Sequence, residues 1–308
     1  MSVLRLKPAC KDYIWGGSKL REKYNIDSEL NPLAEGWMLS THKDGASIIT
    51  NGSHSGKTLA EYITEKGKSV LGKNCDKFDD FPILIKFIDA KNNLSIQVHP
   101  SNEYALKNEG QYGKTEAWYI LESEPDAYLY YGFKQEISKE EFKSRIENNT
   151  LTEVLNAVKV KKGDLFFIPS GTLHAIGKGI VIAEIQQNSN VTYRVYDYGR
   201  LGADGKPRAL HIAKALDVTE CKPPKTDYDF DGHLVKCNYF TTDLISGNYS
   251  GNADSGSFMS ILVTEGGGTL TLGGEEFELN VGDSLFIDAD SGKFDIVGNA
   301  QILLTYVE

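Results

Sequence analysis

The chain has 308 residues, of which 40% are hydrophobic and 25% charged, and carries a net charge of −10. An acidic balance argues against generic binding to nucleic acid or to an anionic membrane, which needs clustered Lys and Arg, and no apolar run reaches the ~18 residues of a membrane span. An anionic ligand would need a locally positive site.

In chain order, the opening MSVLRLKPACKDYIWGG lacks an apolar core of signal-peptide length, so a cytoplasmic location is expected. Cys10, Cys75, Cys221 and Cys237 are scattered without CxxC spacing and are expected to be free thiols. ASIIT is a short strand signal. NGSHSGKTLAE (51–61) briefly suggests a nucleotide-binding loop, but the required first glycine falls at Asn51 and the spacing fails. KTLAEYITEKGKSVLG (57–72) has helical spacing. FPILIKFID, LSIQVH, TEAWYIL and DAYLYYGF are β-branched or aromatic runs between turn formers, and predict strands. SKEEFKSRIENN (138–149) predicts a helix, with Ser138 three residues before Glu141 as a capping box. DLFFIP, IVIAEIQ and TYRVYDYG predict further strands, and ALHIAKALDV (209–218) a helix. TECKPPKTDYDFDGH (219–233) is polar, contains Pro223–Pro224 and has no period, so it reads as a linker. Nearly everything after it is β, with EGGGTLTLGGEE supplying turns rather than a phosphate loop, because no helix pattern follows. Many strands at short spacing with a few inserted helices predict a mainly β fold, a sandwich or jelly roll rather than a parallel α/β sheet.

One internal repeat stands out. GDLFFIPSGTLHAIG (163–177) and GDSLFIDADSGKFDIVG (282–298) both begin Gly-Asp and run through an aromatic-aliphatic strand. Aligned from the shared glycine, His174 falls opposite Lys293 and Pro169 opposite Asp288. SFMSILV is similar to TEAWYIL but has Ser257 about where Glu116 sits. The second copy is expected to keep the architecture without the polar residues.

Gln97 and His99 are two apart on a predicted strand, so they project from one face. Taken singly, His99 reads as a surface residue before a proline turn, and Gln97 and Glu116 are unremarkable. Together with His174, they offer two imidazoles, a carboxylate and an amide oxygen, a set that suits zinc or another first-row ion with a position left open. With only Glu116 anionic, a divalent ion would leave the site near +1, suited to an anion.

GDLFFIPSGTLH matches the second signature motif of the cupin fold, whose last His is a metal ligand. The first cupin motif departs from the usual: Gln97 stands for its first His, and sixteen residues separate His99 from Glu116. FPILIKFIDAKNNLSIQVHP, GKTEAWYI, GDLFFIPSGTLHAIG and EIQQNSNVTYRVYDYGR together resemble the type I mannose-6-phosphate isomerases, particularly the short bacterial form. AEGWMLSTH (34–42) is similar to that family's early Glu-Ser-Trp segment. The resemblance covers most of residues 1–220 and continues more weakly beyond. It implies two cupin-type jelly-roll β-barrel domains: a catalytic one at 1–220, a linker at 221–233, and a degenerate copy at 234–308 without metal ligands. One Zn²⁺ per chain on Gln97, His99, Glu116 and His174 is implied, with mannose 6-phosphate and fructose 6-phosphate exchanged through an enediol.

The same resemblance implies that Ser95, Lys114, Arg194 and Arg200 bind the sugar phosphate, and that Arg194 and Lys114 are catalytic. Thr192, Arg194 and Tyr196 share a strand face, and an arginine aimed along it needs an anion. Lys114 and Arg200 read equally as solvated surface charges. The general base stays open among Lys114, Glu184 and a water held by the metal. Asn190 stands where many relatives have Asp, and Gly36 and Met38 where Ser and Glu are commoner, so no polar role is carried to these positions. A monomer or weak homo-oligomer is expected. Iron-dependent oxygen chemistry on a cupin fits less well, because Gln97 replaces a His, and a non-catalytic sugar-phosphate sensor would bind without turnover.

Overall fold

Residues 3–202 and 205–308 are described by a computed structural model of the chain. Strand Ile83–Ala90 shows why its layers stack, since all eight of its residues are buried. Ile83, Ile85 and Phe87 share a core with Phe240, Phe258 and Phe286 of the C-terminal half, whereas Ile88 and Ala90 share one with Trp118, Ile120 and Ile182. A strand that is apolar on both faces must lie in a sheet covered on both sides.

That sheet is six-stranded, in the order Leu165–Ile168, Glu116–Ser123, Ile180–Gln187, Ile83–Ala90, Glu35–Leu39 and Ala9–Lys11. One face meets a five-stranded sheet ordered Tyr193–Tyr196, Ile96–Val98, His174–Ala175, Tyr128–Phe133 and Leu155–Lys159. The other meets a seven-stranded sheet that includes Thr241–Ser246, Gln301–Tyr306, Met259–Glu265 and Ser284–Ile287. A four-stranded sheet backs this last one across a core of Leu270, Phe294, Ile261 and Ile302. The protein is mainly β, as its patterning predicts. No strand order closes on itself among the described residues, so instead of closed barrels there are two pairs of facing open sheets. Among the described residues no helix is long and apolar enough to cross a membrane.

The halves share strands. Val3–Lys7 pairs with Ser284–Ile287, Arg5 reaching Asp283 at 2.6 Å, so the first strand completes the C-terminal sheet. The linker segment is packed rather than loose: Tyr228 and Phe230 stack on each other and edge onto Phe167.

The predicted helices are shorter than their patterns. Leu59–Lys66 carries the full capping box, Thr58 with Glu61, before Gly67 ends it. At Lys139–Glu147 the Ser138 side chain accepts from the Glu141 N–H, one half of the expected box. The third helix is Ile212–Val218, and Asn102–Glu109, capped by Ser101, lacks a clear apolar period and was not predicted.

The repeated Gly-Asp has a turn explanation. Gly163 and Gly282 have φ of 90° and 89°, a left-handed conformation that favours glycine. The following aspartates, Asp164 and Asp283, each accept the backbone N–H three residues back at 2.8 Å. Turn chemistry, not a ligand, fixes that dipeptide in both copies.

Phe286 is fully buried and stacks on Phe258 with centroids 5.0 Å apart. Phe286→Ala is expected to destabilise the protein by about 3–5 kcal/mol, read as a lower urea midpoint at unchanged slope.

Candidate active site

The interior between the six- and five-stranded sheets turns polar at one end because several strands place charged residues on the same inward face. Along Ile180–Gln187, Ile180, Ile182 and Glu184 face this interior while Val181, Ala183 and Ile185 face the opposite core. Register then aligns the partners: Glu184 lies between Lys86 and Trp118. In the facing sheet Gln97 lies between His174 and Arg194. His99 follows the end of its strand, and Glu116 begins the strand that pairs with Leu165–Ile168.

His99, Glu116 and His174 converge with all their ligating atoms within 4.8 Å of one another, and all three are buried. Each imidazole donates its Nδ1–H to a carbonyl, His99 to Val191 at 2.8 Å and His174 to Thr172 at 2.9 Å. Those carbonyls set the tautomer, so both Nε2 lone pairs face inward. His174 Nε2 lies 3.3 Å from Glu116 Oε1 and His99 Nε2 3.5 Å from Oε2. Glu116 Oε1 and His174 Nε2 are buried without a hydrogen bond. Acceptors held face to face repel unless a proton or a cation lies between them, and two imidazoles with one carboxylate suit a divalent first-row metal. Gln97 lines the adjoining cavity, 3.5 Å from Ser95 Oγ through its Oε1.

A buried chain of alternating charge continues from this cluster. Lys114 Nζ sits 2.6 Å from Glu116 and 3.4 Å from Glu184; Lys86 Nζ sits 3.5 Å from both Glu184 and Glu35. Trp118 and Trp37 donate their indole N–H to Glu184 and Glu35. Burial and the neighbouring Glu184 charge raise the Glu116 carboxyl to about 7. Burial would raise Glu184 too, but Lys114 and Lys86 outweigh it and hold its carboxyl down at about 2. Burial lowers His174 to about 4, and burial with the Lys114 ammonium nearby pushes His99 well below the usual imidazole range. Both rings are therefore neutral near pH 7, the form that ligates metals.

The cavity above holds about 270 Å³, at the small end of ligand sites, which run roughly 300–1,000 Å³. Of the residues singled out in the sequence, Ser95, Gln97, Lys114, Glu184, Thr192 and Arg194 line it, with His99, Glu116 and His174 clustered beside Lys114. Arg200 does not line it. Its guanidinium bonds to the Asp197 carboxylate at 2.5 Å and lies over the Tyr198 ring. Arg208 lines the cavity instead, and spacing from Arg194 could not show it because Leu201 and Pro207, between the two arginines, bridge antiparallel. Glu35 and Lys86 were also missed, although a lysine inside ILIKFID is itself a signal: a charge in a doubly covered strand needs buried partners. Asn190 lines the cavity with its amide toward Asp44 at 3.3 Å. Gly36 and Met38 are buried beside Glu35, which carries the polar role in that segment.

Strand pairing shifts one position of the repeat. Strand pairing opposes Ile168 to Glu116 and its counterpart Ile287 to Met259, so Met259 rather than Ser257 occupies the Glu116 position. Lys293 is exposed, and the adjacent Phe294 fills the interior of the C-terminal pair of sheets. Leu, Ile, Val, Ala and Phe side chains form the core there.

Comparison with known proteins agrees with this architecture. Residues 3–157 match the family model described as phosphomannose isomerase type I, catalytic domain, and 231–307 that of the mannose-6-phosphate isomerase cupin domain. The chain is 38% identical to the mannose-6-phosphate isomerase ManA of Bacillus subtilis (strain 168), covering 99% of this chain and 98% of that one. The crystal structure of the Bacillus subtilis mannose 6-phosphate isomerase superposes with a TM-score of 0.91 at 36% identity, covering both chains completely. A mannose 6-phosphate isomerase bound with zinc and yttrium shares the fold at a TM-score of 0.77 and 20% identity, again over both full lengths. With its two facing-sheet halves, its single polar interior and full-length similarity on both sides of the linker, the chain belongs to the type I phosphomannose isomerase family.

Proposed function

We propose that the protein interconverts mannose 6-phosphate and fructose 6-phosphate through an enediol, with one zinc ion held by His99, Glu116, His174 and the amide oxygen of Gln97. The observation that carries this reading is the pair of buried acceptors, Glu116 Oε1 and His174 Nε2, facing each other beside a cavity lined by two lysines and two arginines against two glutamates. Zinc is bound by a relative of the same fold, and the two-imidazole, one-carboxylate donor set suits it. When bound, the ion supplies a Lewis acid toward the oxygens on the reacting sugar carbons.

The chain's own residues supply the rest. Glu184, which lines the cavity and is oriented by the Trp118 indole N–H, takes the proton from one carbon and returns it to the next. Lys114 is the weaker candidate for base, because an ammonium flanked by two carboxylates is a donor. It offers a hydrogen bond to the oxygen that gains charge. Arg194, tied to Ser95 Oγ at 3.2 Å and the Ala209 carbonyl at 3.0 Å, keeps free N–H groups for the phosphate. We keep residues 1–220 as the catalytic domain and 234–308 as the degenerate copy, in a cytoplasmic enzyme, with the first strand lent to the C-terminal sheet.

Turnover of mannose 6-phosphate, assayed as purified, after EDTA and after zinc add-back, tests the reading directly. Activity that leaves and returns with the metal supports it; a folded, metal-loaded protein without turnover would overturn it. Metal affinity carries a pH signature as well. Glu116, at about 7, must shed a proton to ligate, while His174, at about 4, is already neutral. Affinity is expected to rise ~10-fold per pH unit between roughly pH 5 and 7 and level off above. Chelator competition reads that slope, and two decades per unit would mean that an imidazole loses a proton as well.

A further inference from the structure

A phosphate monoester carries a charge close to −2 and offers oxygens in several directions, so one guanidinium rarely satisfies it. Arg194 lines the cavity, and Arg208 is the other arginine that does so among the described residues. We propose that Arg208, oriented by Asp197, is the second guanidinium that grips the substrate phosphate, an assignment that rests on the sugar-phosphate reading above.

Asp197 is only 6% exposed, and its carboxylate pairs with Arg208 at two points: Nε to Oδ2 at 2.7 Å and a terminal nitrogen to Oδ1 at 2.5 Å. This side-on pairing fixes the guanidinium plane while using two of its five N–H groups, leaving three for a ligand. Arg200 shares the same carboxylate but turns away, donating to the backbone carbonyls of Asp197 and Asn93. Arg200 and Arg208 share this one carboxylate, while Arg194 is held by Ser95 and the Ala209 carbonyl with no carboxylate bonded to it among the described residues, so the three guanidinium groups carry two more positive charges than Asp197 offsets, which matches a phosphate dianion.

Arg208 and Arg194 are also mechanically joined. The carbonyl that Arg194 uses belongs to Ala209, the next residue after Arg208. His211 donates its N–H to the Arg194 carbonyl at 2.7 Å and accepts the Arg194 N–H at 3.2 Å through Nδ1. Segment 208–211 is thus laced to strand Tyr193–Tyr196, so the two guanidinium groups hold a fixed separation. Asp197 is a positioning residue, acting through Arg208.

The test uses the zinc-loaded full chain, with KM for mannose 6-phosphate, the inhibition constant of inorganic phosphate and metal content measured together. Arg208→Ala should raise KM and weaken phosphate inhibition by roughly 10- to 100-fold at unchanged metal content. Arg208→Lys, which keeps the charge and loses the planar fork, should fall between, and covers the case in which the alanine variant does not fold. Asp197→Asn should weaken phosphate in the same direction and add little to Arg208→Ala, as expected if it works through that side chain. Unchanged phosphate inhibition in the Arg208 variants overturns the assignment, as does a larger loss from Arg200→Ala than from Arg208→Ala. Full additivity of the two substitutions removes Asp197 from it. Should the wild type show no mannose 6-phosphate turnover, the isomerase reading fails by itself, and calorimetric binding of inorganic phosphate to wild type and Arg208→Ala still decides whether Arg208 holds the anion.

Discussion

His174→Ala is expected to yield a folded protein that no longer carries stoichiometric metal and turns over mannose 6-phosphate at least about 1,000-fold more slowly. Losing an outer-sphere partner typically weakens metal binding by about 10–100-fold, so losing an imidazole from a set of so few donors must do more. The variant leaves His99, Glu116 and the neutral amide oxygen of Gln97, and with a single imidazole remaining and an amide as its weakest member this set should not hold a divalent ion tightly. Folding should survive, because His174 is packed by Trp118 at 5.2 Å and by strands whose register depends on backbone bonds, not on this side chain. The truncation still opens a cavity, so a thermal melt belongs beside the metal analysis, and His174→Gln, closer in volume, serves as the second variant. His99→Ala should behave alike. Tight metal retention in both alanine variants would contradict the ligand assignment.

Glu184→Gln should keep its metal and bind substrate near normally while kcat drops by about 10²–10⁴, the usual share of a general base. The substitution preserves the Trp118 hydrogen bond through the amide oxygen but removes the group that accepts the proton. It also strips one counter-charge from Lys86, which keeps Glu35, and from Lys114, which keeps Glu116. Because each lysine retains a carboxylate, the stability loss should stay below the roughly 3–5 kcal/mol of a stranded buried charge. Exchange of the substrate C2 hydrogen with deuterated solvent separates the two roles. A base defect lowers exchange and kcat together at normal KM and full metal content, whereas a merely structural defect raises KM and loses metal. Near wild-type kcat in this variant would move the base to another group.

How far the site was legible depended on the kind of element that carried each residue. His99 and His174 fall in the buried cluster and Gln97 on the adjoining cavity; strand period pointed to Gln97 and His99, and the tight turn PSGTL at a recognisable spacing to His174. Glu116 was readable only with the motif, since sixteen intervening residues include the unpredicted helix Asn102–Glu109. Lys86 and Glu35 were overlooked inside runs that look wholly apolar, although their burial next to tryptophans is what an internal ion pair requires. In the second copy the likeness of two short strands put Ser257 opposite Glu116, whereas strand pairing puts Met259 there, because strand composition does not fix which residue opposes which across a sheet.

Local patterning, by itself, determined the mainly β character and the repeated Gly-Asp turns. Each of these depends on neighbours within a few residues, where strand period and glycine's left-handed φ leave little choice. Tertiary structure alone decided that the six-stranded sheet lies covered on both faces, that Val3–Lys7 belongs to the C-terminal sheet, and that Arg208 rather than Arg200 faces the cavity. Sheet order and loop paths are set by which distant faces bury each other, and no local spacing records that.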